Sequence, residues 1–209
     1  MNKCIVFTSF VFLLFGAGCS DSSTPSRDFS FEVQSLDLES QDSGVYESEV
    51  AKLKKLADSD NPIAQYRYAD LLLHKGSVGD AIPYLQRSIA LGEQHSAELL
   101  GILYVRNDNK KDDLEGFELL TQAAESGLGT AQLYLGFCFT SDECKLPHNT
   151  ELSYYWLNMA KDNGSSETNL FIDDVSELIP DKALAMQRYD ENVKKVICEM
   201  DSSRCYRHM

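Results

Sequence analysis

The fold of this chain is decided by residues 116–138, which read GFELLTQAAESGLGTAQLYLGFC. Apolar and small side chains recur in this stretch at intervals of three and four residues, which places them on one face of a helix. Gly127 interrupts the pattern, and a second apolar pattern starts four residues later at Ala131. A glycine after a helical stretch commonly closes the helix, because it adopts positive φ without steric cost. The stretch therefore predicts two helices joined by a tight turn.

The same two patterns recur along the chain and identify an internal repeat. The first-helix pattern starts at a column of small or short residues, spaced by 32, 35 and 37 positions: Ala64, Ser96, Ala131 and Thr168. The second-helix pattern starts at Ala81, Gly116 and Ser153, and it closes at Gly92, Gly127 and Gly164. One helix pair cannot bury both of its faces, so the units must stack into an all-α solenoid.

The repeat changes at both of its ends. Five positions after the column, the first three units carry Ala69, Gly101 and Gly136, where another helix can approach closely. The last unit carries Asp173 at that position, which indicates a degenerate unit. Residues 52–57 fit the second-helix pattern weakly, and we expect them to form an entry helix.

Residues 131–136 (AQLYLG) and 146–164 (LPHNTELSYYWLNMAKDNG) resemble Sel1-like repeats, which are relatives of tetratricopeptide repeats. Residues 122–127 (QAAESG) resemble the end of the family's second helix, and residues 180–185 (PDKALA) look like the capping helix after Sel1 arrays. The resemblance covers about residues 49–191. It implies a short right-handed α-solenoid of helix pairs with a C-terminal capping helix from about residue 180, where Pro180 takes the favoured first position. It also implies protein–protein interaction, and it supplies no catalytic residues.

The N-terminus predicts export. Lys3 precedes an apolar run at residues 5–17, which is too short to span a bilayer but suits a signal peptide. Small residues directly before Cys19 resemble the lipobox of bacterial lipoproteins, which implies cleavage before Cys19 and its acylation. The family usually has Leu, Val or Ile where this chain has Gly16, so cleavage by ordinary signal peptidase is the alternative.

These features divide the chain into three parts. We assign residues 1–18 to a lipoprotein-type signal peptide, 19–44 to a flexible tether rich in Ser and acids, and 45–209 to the repeat domain. Ser20 resembles outer-membrane sorting, so we expect a lipid-anchored protein that faces the periplasm. Four apolar side chains give the tether an alternative, transient docking on the domain: Phe29, Phe31, Val33 and Leu36.

The cysteines agree with export. Of the six, Cys4 would leave with the signal peptide and Cys19 would carry the lipid. The other four lie in two close pairs, Cys138/Cys144 and Cys198/Cys205. Three pairings are possible, and an oxidising periplasm favours the two local disulfides. Zinc bound by Cys138, Cys144 and His148 is the alternative, but no well-placed fourth ligand follows.

The formal net charge of the chain is −14 at pH 7. A surface this acidic repels phosphates, which argues against nucleic-acid binding and against adsorption to anionic lipids. We therefore expect membrane contact only through the N-terminal lipid anchor. The acids keep the protein soluble, and they would speed association with a protein partner that carries a basic patch.

No sequence pattern indicates catalysis. Residues 76–79 (GSVG) lack the spacing of a nucleophile elbow, and the adjacent carboxylates Asp112/Asp113 and Asp173/Asp174 would point in different directions. We expect no enzyme activity, no cofactor, no metal site and no small-molecule substrate. The predicted function is that of a scaffold or adaptor of an envelope assembly. An immunity protein that neutralises a toxin delivered to the periplasm is the alternative, and a cell-wall or lipid hydrolase is a weaker one.

Stacking consumes the apolar columns, so recognition must use other side chains and the variable loops. The loop at residues 140–149 is the longest of these, and a disulfide between Cys138 and Cys144 would hold it. The predicted partner site centres on this third unit and consists of two aromatic residues and three acids: Tyr134, Tyr154, Asp142, Glu143 and Glu151. The alternative is that both tyrosines simply pack between units.

Overall fold

The computed structural model describes residues 29–107 and 110–207, and in this part the chain forms helices and turns without a strand. The α-helices are α1 (Phe29–Gln34), α2 (Ser43–Asp58), α3 (Pro62–His74), α4 (Val78–Ala90), α5 (Gln94–Arg106), α6 (Lys110–Glu125), α7 (Gly129–Cys138), α8 (Thr150–Asp162), α9 (Ile172–Glu177), α10 (Lys182–Gln187) and α11 (Tyr189–Met200). Short 3₁₀ segments precede α9 and follow α11, at Ser166–Leu170 and Ser202–Arg207.

Helices α3 to α8 form three stacked repeat units, and α2 is the entry helix. Each unit pairs a first helix with a second helix, as α3–α4, α5–α6 and α7–α8. The four column residues are completely buried: Ala64, Ser96, Ala131 and Thr168. The register of the repeat is therefore confirmed, and so is the predicted α-solenoid.

The two helices of a unit cross closely at glycine. A Cβ atom on Gly101 would lie 2.7 Å from Cγ of Leu120, and one on Gly136 would lie 2.7 Å from Cγ of Leu157. Both distances are shorter than van der Waals contact, so a side chain at either position would push the helices apart. The hydroxyl of Ser153 also donates a 2.6 Å hydrogen bond to the carbonyl oxygen of Gly136 at this crossing.

Buried glutamine side chains join neighbouring units. Nε2 of Gln65 donates to the carbonyl oxygen of Ala57 at 3.1 Å, and Nε2 of Gln132 donates to that of Ala124 at 2.8 Å. Oε1 of Gln132 accepts a hydrogen bond from Asn163 at 2.8 Å. A buried amide is costly unless it is hydrogen-bonded, so these contacts favour one arrangement of the helices at the unit boundary.

The turns that end the second helices need positive φ. Gly92, Gly127 and Gly164 have φ of 91°, 95° and 87°, which confirms their predicted role. The turn after α2 occupies the same place in the repeat but carries Asp60, which has φ of 57°. An L-residue with a Cβ atom is strained in this region, although aspartate tolerates it better than most.

The predicted flexible tether at residues 19–44 is wrong for the part that the structure describes. Val33 of α1 is buried against Leu53 and Ala64, and Leu36 packs beside it. Apolar residues three positions apart form one face of a short helix and turn, and this face covers the N-terminal end of the solenoid. From residue 29 onward the chain docks through Val33 and Leu36, whereas Phe31, which the docking alternative also named, is 70% exposed.

The predicted signal peptide at residues 1–18, the predicted lipidation site Cys19 and the remaining tether up to residue 28 lie outside the described residues. Among the helices that are described, none has the length and apolar character that crossing a membrane requires.

The C-terminal end differs from the single capping helix predicted to start at Pro180. The side chain of Asp181 accepts a hydrogen bond from the N–H of Leu184, which makes Asp181 the N-cap and Lys182 the first helical residue. Pro180 therefore lies outside the helix. The chain then breaks at Arg188 and starts α11, which turns back over the second helices α6 and α8.

Tyr189 anchors α11 on the second helices. Its ring stacks on Tyr155 with centroids 4.3 Å apart, and it meets Trp156 edge-on at 5.3 Å. Its hydroxyl donates a 2.7 Å hydrogen bond to Glu125. Burial and the hydrogen bond to Glu125 raise the pKa of Tyr189 well above its usual range, so the hydroxyl remains a hydrogen-bond donor into alkaline pH. The cap thus covers the outer side of units 2 and 3.

The positive φ of Asp60 yields a stability prediction. Asp60→Gly should raise the free energy of unfolding by about 0.5–1 kcal/mol, because glycine adopts this φ without the strain of a Cβ atom. The reverse change at the equivalent turn, Gly92→Asp, should lower it by a similar amount, although there is open space for the side chain. Urea denaturation measures both. A destabilised Asp60→Gly variant would contradict the strained turn.

Candidate partner-binding site

The first helices lie side by side and present one continuous face. The rings of Tyr66 in α3 and His95 in α5 are 5.6 Å apart. Glu98 in α5 and Thr130 in α7 line the same surface cleft. These side chains occupy positions between the core columns, so stacking leaves them at the surface. We call this surface the first-helix face and define it by Tyr66, His95, Glu98, Ile102, Thr130 and Tyr134.

A cleft of about 740 Å³ opens on the first-helix face. The residues that line it include Tyr66, His95, Glu98, Ile102 and Thr130, together with residues 163–167. Glu98 is half-buried there, and burial raises the pKa of its carboxyl group. A cation that entered the cleft would favour the ionised form of Glu98, so the cleft suits a lysine or arginine side chain flanked by apolar groups.

The longest loop runs beside the first-helix face, and we call residues 138–149 the disulfide loop. A disulfide joins Cys138 and Cys144, whose Cα atoms are 5.2 Å apart. Two backbone hydrogen bonds hold the loop further, from the N–H of Lys145 to Val105 and from the N–H of Asn149 to Phe139. The loop therefore has a defined conformation, which reduces the entropy that binding would cost.

The loop presents two of the predicted acids to solvent. The side chain of Asp142 is 99% exposed and lies 3.2 Å from Nε2 of His148. Glu143 is exposed beside it. Tyr134 connects this loop to the first-helix face, because its hydroxyl oxygen lies 3.9 Å from Sγ of Cys144. Half of the Tyr134 side chain is buried, and this burial raises its pKa. The structure thus brings Tyr134, Asp142 and Glu143 together.

The structure gives Glu151 and Tyr154 other roles. Glu151 accepts a 2.6 Å hydrogen bond from Asn192 and forms an ion pair with Arg188 at 3.4 Å, so it holds the C-terminal helices. Tyr154 packs with Ile172 in the cluster between α8 and α9. Each faces a part of the chain whose position the repeat pattern does not reveal, and their assignment to the partner site stays a prediction. For Tyr154, this contact agrees with the alternative that the tyrosines pack between units.

Five residues of the first-helix face lie outside the partner site predicted from the sequence: Tyr66, His95, Glu98, Ile102 and Thr130. The signal that could have found them is the register itself. They lie one position before the column and two and six positions after it, where first helices of adjacent units meet. Glu98 lies next to a buried column and is half-buried, unlike an acid on an outer surface. The residue type is the same in both places, so it does not reveal which acids are half-buried.

The second cysteine pair is also joined. Cys198 of α11 and Cys205 of the last 3₁₀ segment form a disulfide, with Cα atoms 4.9 Å apart. Arg204, next to that bond, pairs with Glu118 of α6 at 2.6 Å. The Cys138–Cys144 disulfide uses both cysteines that the zinc alternative needs. Within residues 29–107 and 110–207, no group of three or more His, Cys, Asp or Glu side chains is arranged to hold a metal ion.

Comparison with known proteins identifies the fold. No family model matches the chain, and no curated protein matches it. The crystal structure of a Sel1 repeat protein from Oxalobacter formigenes matches with a TM-score of 0.53 and 19% identity, over 74% of this chain and 62% of that one. A protective antigen present in uropathogenic Escherichia coli strains, whose crystal structure displays an SLR fold, matches with a TM-score of 0.59 and 18% identity, over 83% of this chain and 39% of that one.

The chain therefore spans less than two thirds of the length of either protein. These likenesses, together with the confirmed register, show that the chain has the Sel1-like repeat fold. The fold that the sequence resemblance implies is confirmed.

Proposed function

We propose that this chain is a non-catalytic, exported lipoprotein that binds a basic protein partner with its first-helix face and disulfide loop. The Sel1-like repeat fold supports an interaction scaffold in general. The observation that carries the specific proposal is that a cleft with Tyr66, Glu98 and Ile102 is left open after stacking has consumed the apolar columns. Such a surface offers aromatic anchors and a partly desolvated carboxylate, which are features of protein-binding sites.

Charge indicates the chemistry of the partner. The net charge of −14 would attract a basic surface and accelerate its encounter with this chain. Asp142 and Glu143 would act at long range, because they are exposed on the disulfide loop. Glu98 would act at short range within the cleft. A partner segment with lysine or arginine next to an apolar residue fits both parts of the site.

The biological role is proposed as that of a scaffold or adaptor of an envelope assembly. An immunity protein that neutralises a periplasm-delivered toxin is the second candidate, and one observation favours it. The disulfide loop presents exposed acids in a fixed conformation, which suits the capping of a basic toxin surface. The neighbouring genes discriminate between these roles, since an adjacent toxin gene favours immunity.

Cross-linking in cells tests the binding surface. A photoreactive benzoylphenylalanine in place of His95, Thr130 or Glu143 should cross-link to one discrete partner, because these side chains are exposed on the proposed surface. The matched control places it at Gln86 or Glu115, which are exposed on second helices. Cross-links from the control positions alone would contradict the proposed surface, and cross-links from none of the five would contradict protein binding.

The anchor has its own test. Cys19→Ser should release the protein from the membrane fraction into the soluble envelope fraction, because an acyl chain needs the cysteine thiol and its new amino group. Mass spectrometry of the wild-type N-terminus should show an acylated Cys19, and Cys4→Ser is the matched control that leaves fractionation unchanged. An unmodified N-terminus at or after Cys19 would contradict the lipoprotein part of the proposal while leaving protein binding intact.

A further inference from the structure

The last repeat unit lacks a second helix. In units 1 to 3 the position five residues after the column is small, because the second helix of the same unit crosses there. In unit 4 this position is Asp173, and it is exposed. The chain continues instead into α10 and α11, which pack on α8 and α6. Unit 4 is thus a first helix without its partner, at the C-terminal end of the solenoid.

The position two residues after the column shows how the first helix of one unit contacts the first helix of the next. In unit 1 that residue is Tyr66, and it contacts His95 of the next first helix. In unit 2 it is Glu98, which lines the same cleft as Thr130 of the next first helix. In unit 4 the equivalent residue is Leu170, which is 74% exposed. The interface that joins unit to unit therefore continues to this end of the solenoid without another helix to cover it.

Several acids lie close to the exposed Leu170 in the sequence. Between residues 162 and 181 the sequence has six Asp or Glu and no Lys or Arg. Asp173, Asp174 and Glu177 are exposed, and they lie on the side of α9 opposite the buried Ile172 and Val175. Their carboxylates would repel an acidic partner and attract a basic one. An exposed apolar side chain with exposed acids a few residues away has the pattern that complements a cationic amphipathic helix.

We propose that this end of the solenoid binds a cationic amphipathic helix of another protein, which packs on unit 4 as the next helix of the array would. The proposal rests on the proposed function, protein binding, and adds a second docking surface with a stated partner chemistry. We call this surface the open end and define it by Leu170, Asp173, Asp174 and Glu177. The apolar strip of the incoming helix covers Leu170, and its lysines or arginines face the three acids.

A second copy of this chain is a poor occupant of the open end. Head-to-tail stacking would bring the N-terminal end of the solenoid against it. That end, residues 29–58, has seven acids and three lysines. Two acidic surfaces would then face each other, and such like-charge contact disfavours association. Helix α1 also covers α3 at that end, so the stacking surface there is already occupied.

A model peptide tests the open end with the purified full chain. The probe is a fluorescent Leu/Lys peptide of about 14 residues, long enough for about four helical turns. A Leu/Glu peptide of the same pattern is the charge control. Fluorescence anisotropy gives the dissociation constant, and a benzophenone on the peptide reports where it binds. Light scattering reports whether the chain itself dimerises.

Two variants of the open end and one matched control separate the contributions of the acids and of Leu170 to peptide binding. Asp173→Asn, Asp174→Asn and Glu177→Gln together should weaken binding of the Leu/Lys peptide by about tenfold and reduce its salt dependence. Leu170→Ser should weaken binding with little change in salt dependence. The control neutralises three exposed acids elsewhere, Glu39→Gln, Glu47→Gln and Asp80→Asn, and should change the dissociation constant by less than about twofold. Circular dichroism verifies that each variant folds.

The outcomes either support the proposal or overturn it. Cross-links to residues 166–178 together with the expected order of affinities support it. Equal losses in the acid variant and its control would show non-specific attraction, and cross-links on the first-helix face would place the peptide there; either result overturns the proposal. A dimer that dissociates in Leu170→Ser would identify a second copy as the occupant. Cross-linking in cells tests the proposed function separately, so that function can stand when the open end fails.

Discussion

The close crossing of two helices within each unit is the constraint on which the rest of the structure depends. At Gly136 the second helix comes so near that Leu157 would occupy the place of a side chain, and Ser153 donates a hydrogen bond across the crossing. This approach brings the apolar columns of both helices into one core. At the boundary with the preceding helix, the buried side chains of Gln65 and Gln132 donate hydrogen bonds to backbone carbonyl oxygens.

Periodicity in the sequence predicts the structural features that belong to the repeat. The columns, the glycine turns and the degenerate fourth unit could be read directly, because each is a local pattern with a physical reason. The dockings of α1 and α11 could not, since they depend on single contacts between distant residues, such as Tyr189 with Glu125. For the same reason the repeat pattern assigns Glu151 and Tyr154 to a partner, although each contacts a part of the chain outside the regular repeat.

The proposed function follows from the surface that stacking of the units leaves exposed. Core positions are occupied by neighbouring units, and α11 covers part of the outer side of the second helices in units 2 and 3. The first-helix face and the disulfide loop remain as a continuous surface, since Tyr134 lies between them. Its half-buried carboxylate and exposed acids, on a chain of charge −14, are suited to a basic protein. The fold thus determines where binding can occur, and charge determines which kind of partner fits.

The helix crossing can be measured most directly by a double-mutant cycle in urea denaturation. Gly136→Ala should destabilise the protein by about 1–3 kcal/mol through overpacking, and Leu157→Ala by about 2–5 kcal/mol through a cavity. The double variant should lose less free energy of unfolding than the sum of the two single losses, by at least about 1 kcal/mol. The reason is that both changes act on a single contact, and each relieves the effect of the other. Gly101→Ala with Leu157→Ala is the matched control and should be additive, since the Cβ of residue 101 would meet Leu120 instead. Additive effects in the Gly136 and Leu157 cycle would mean that these helices do not cross where the account places them.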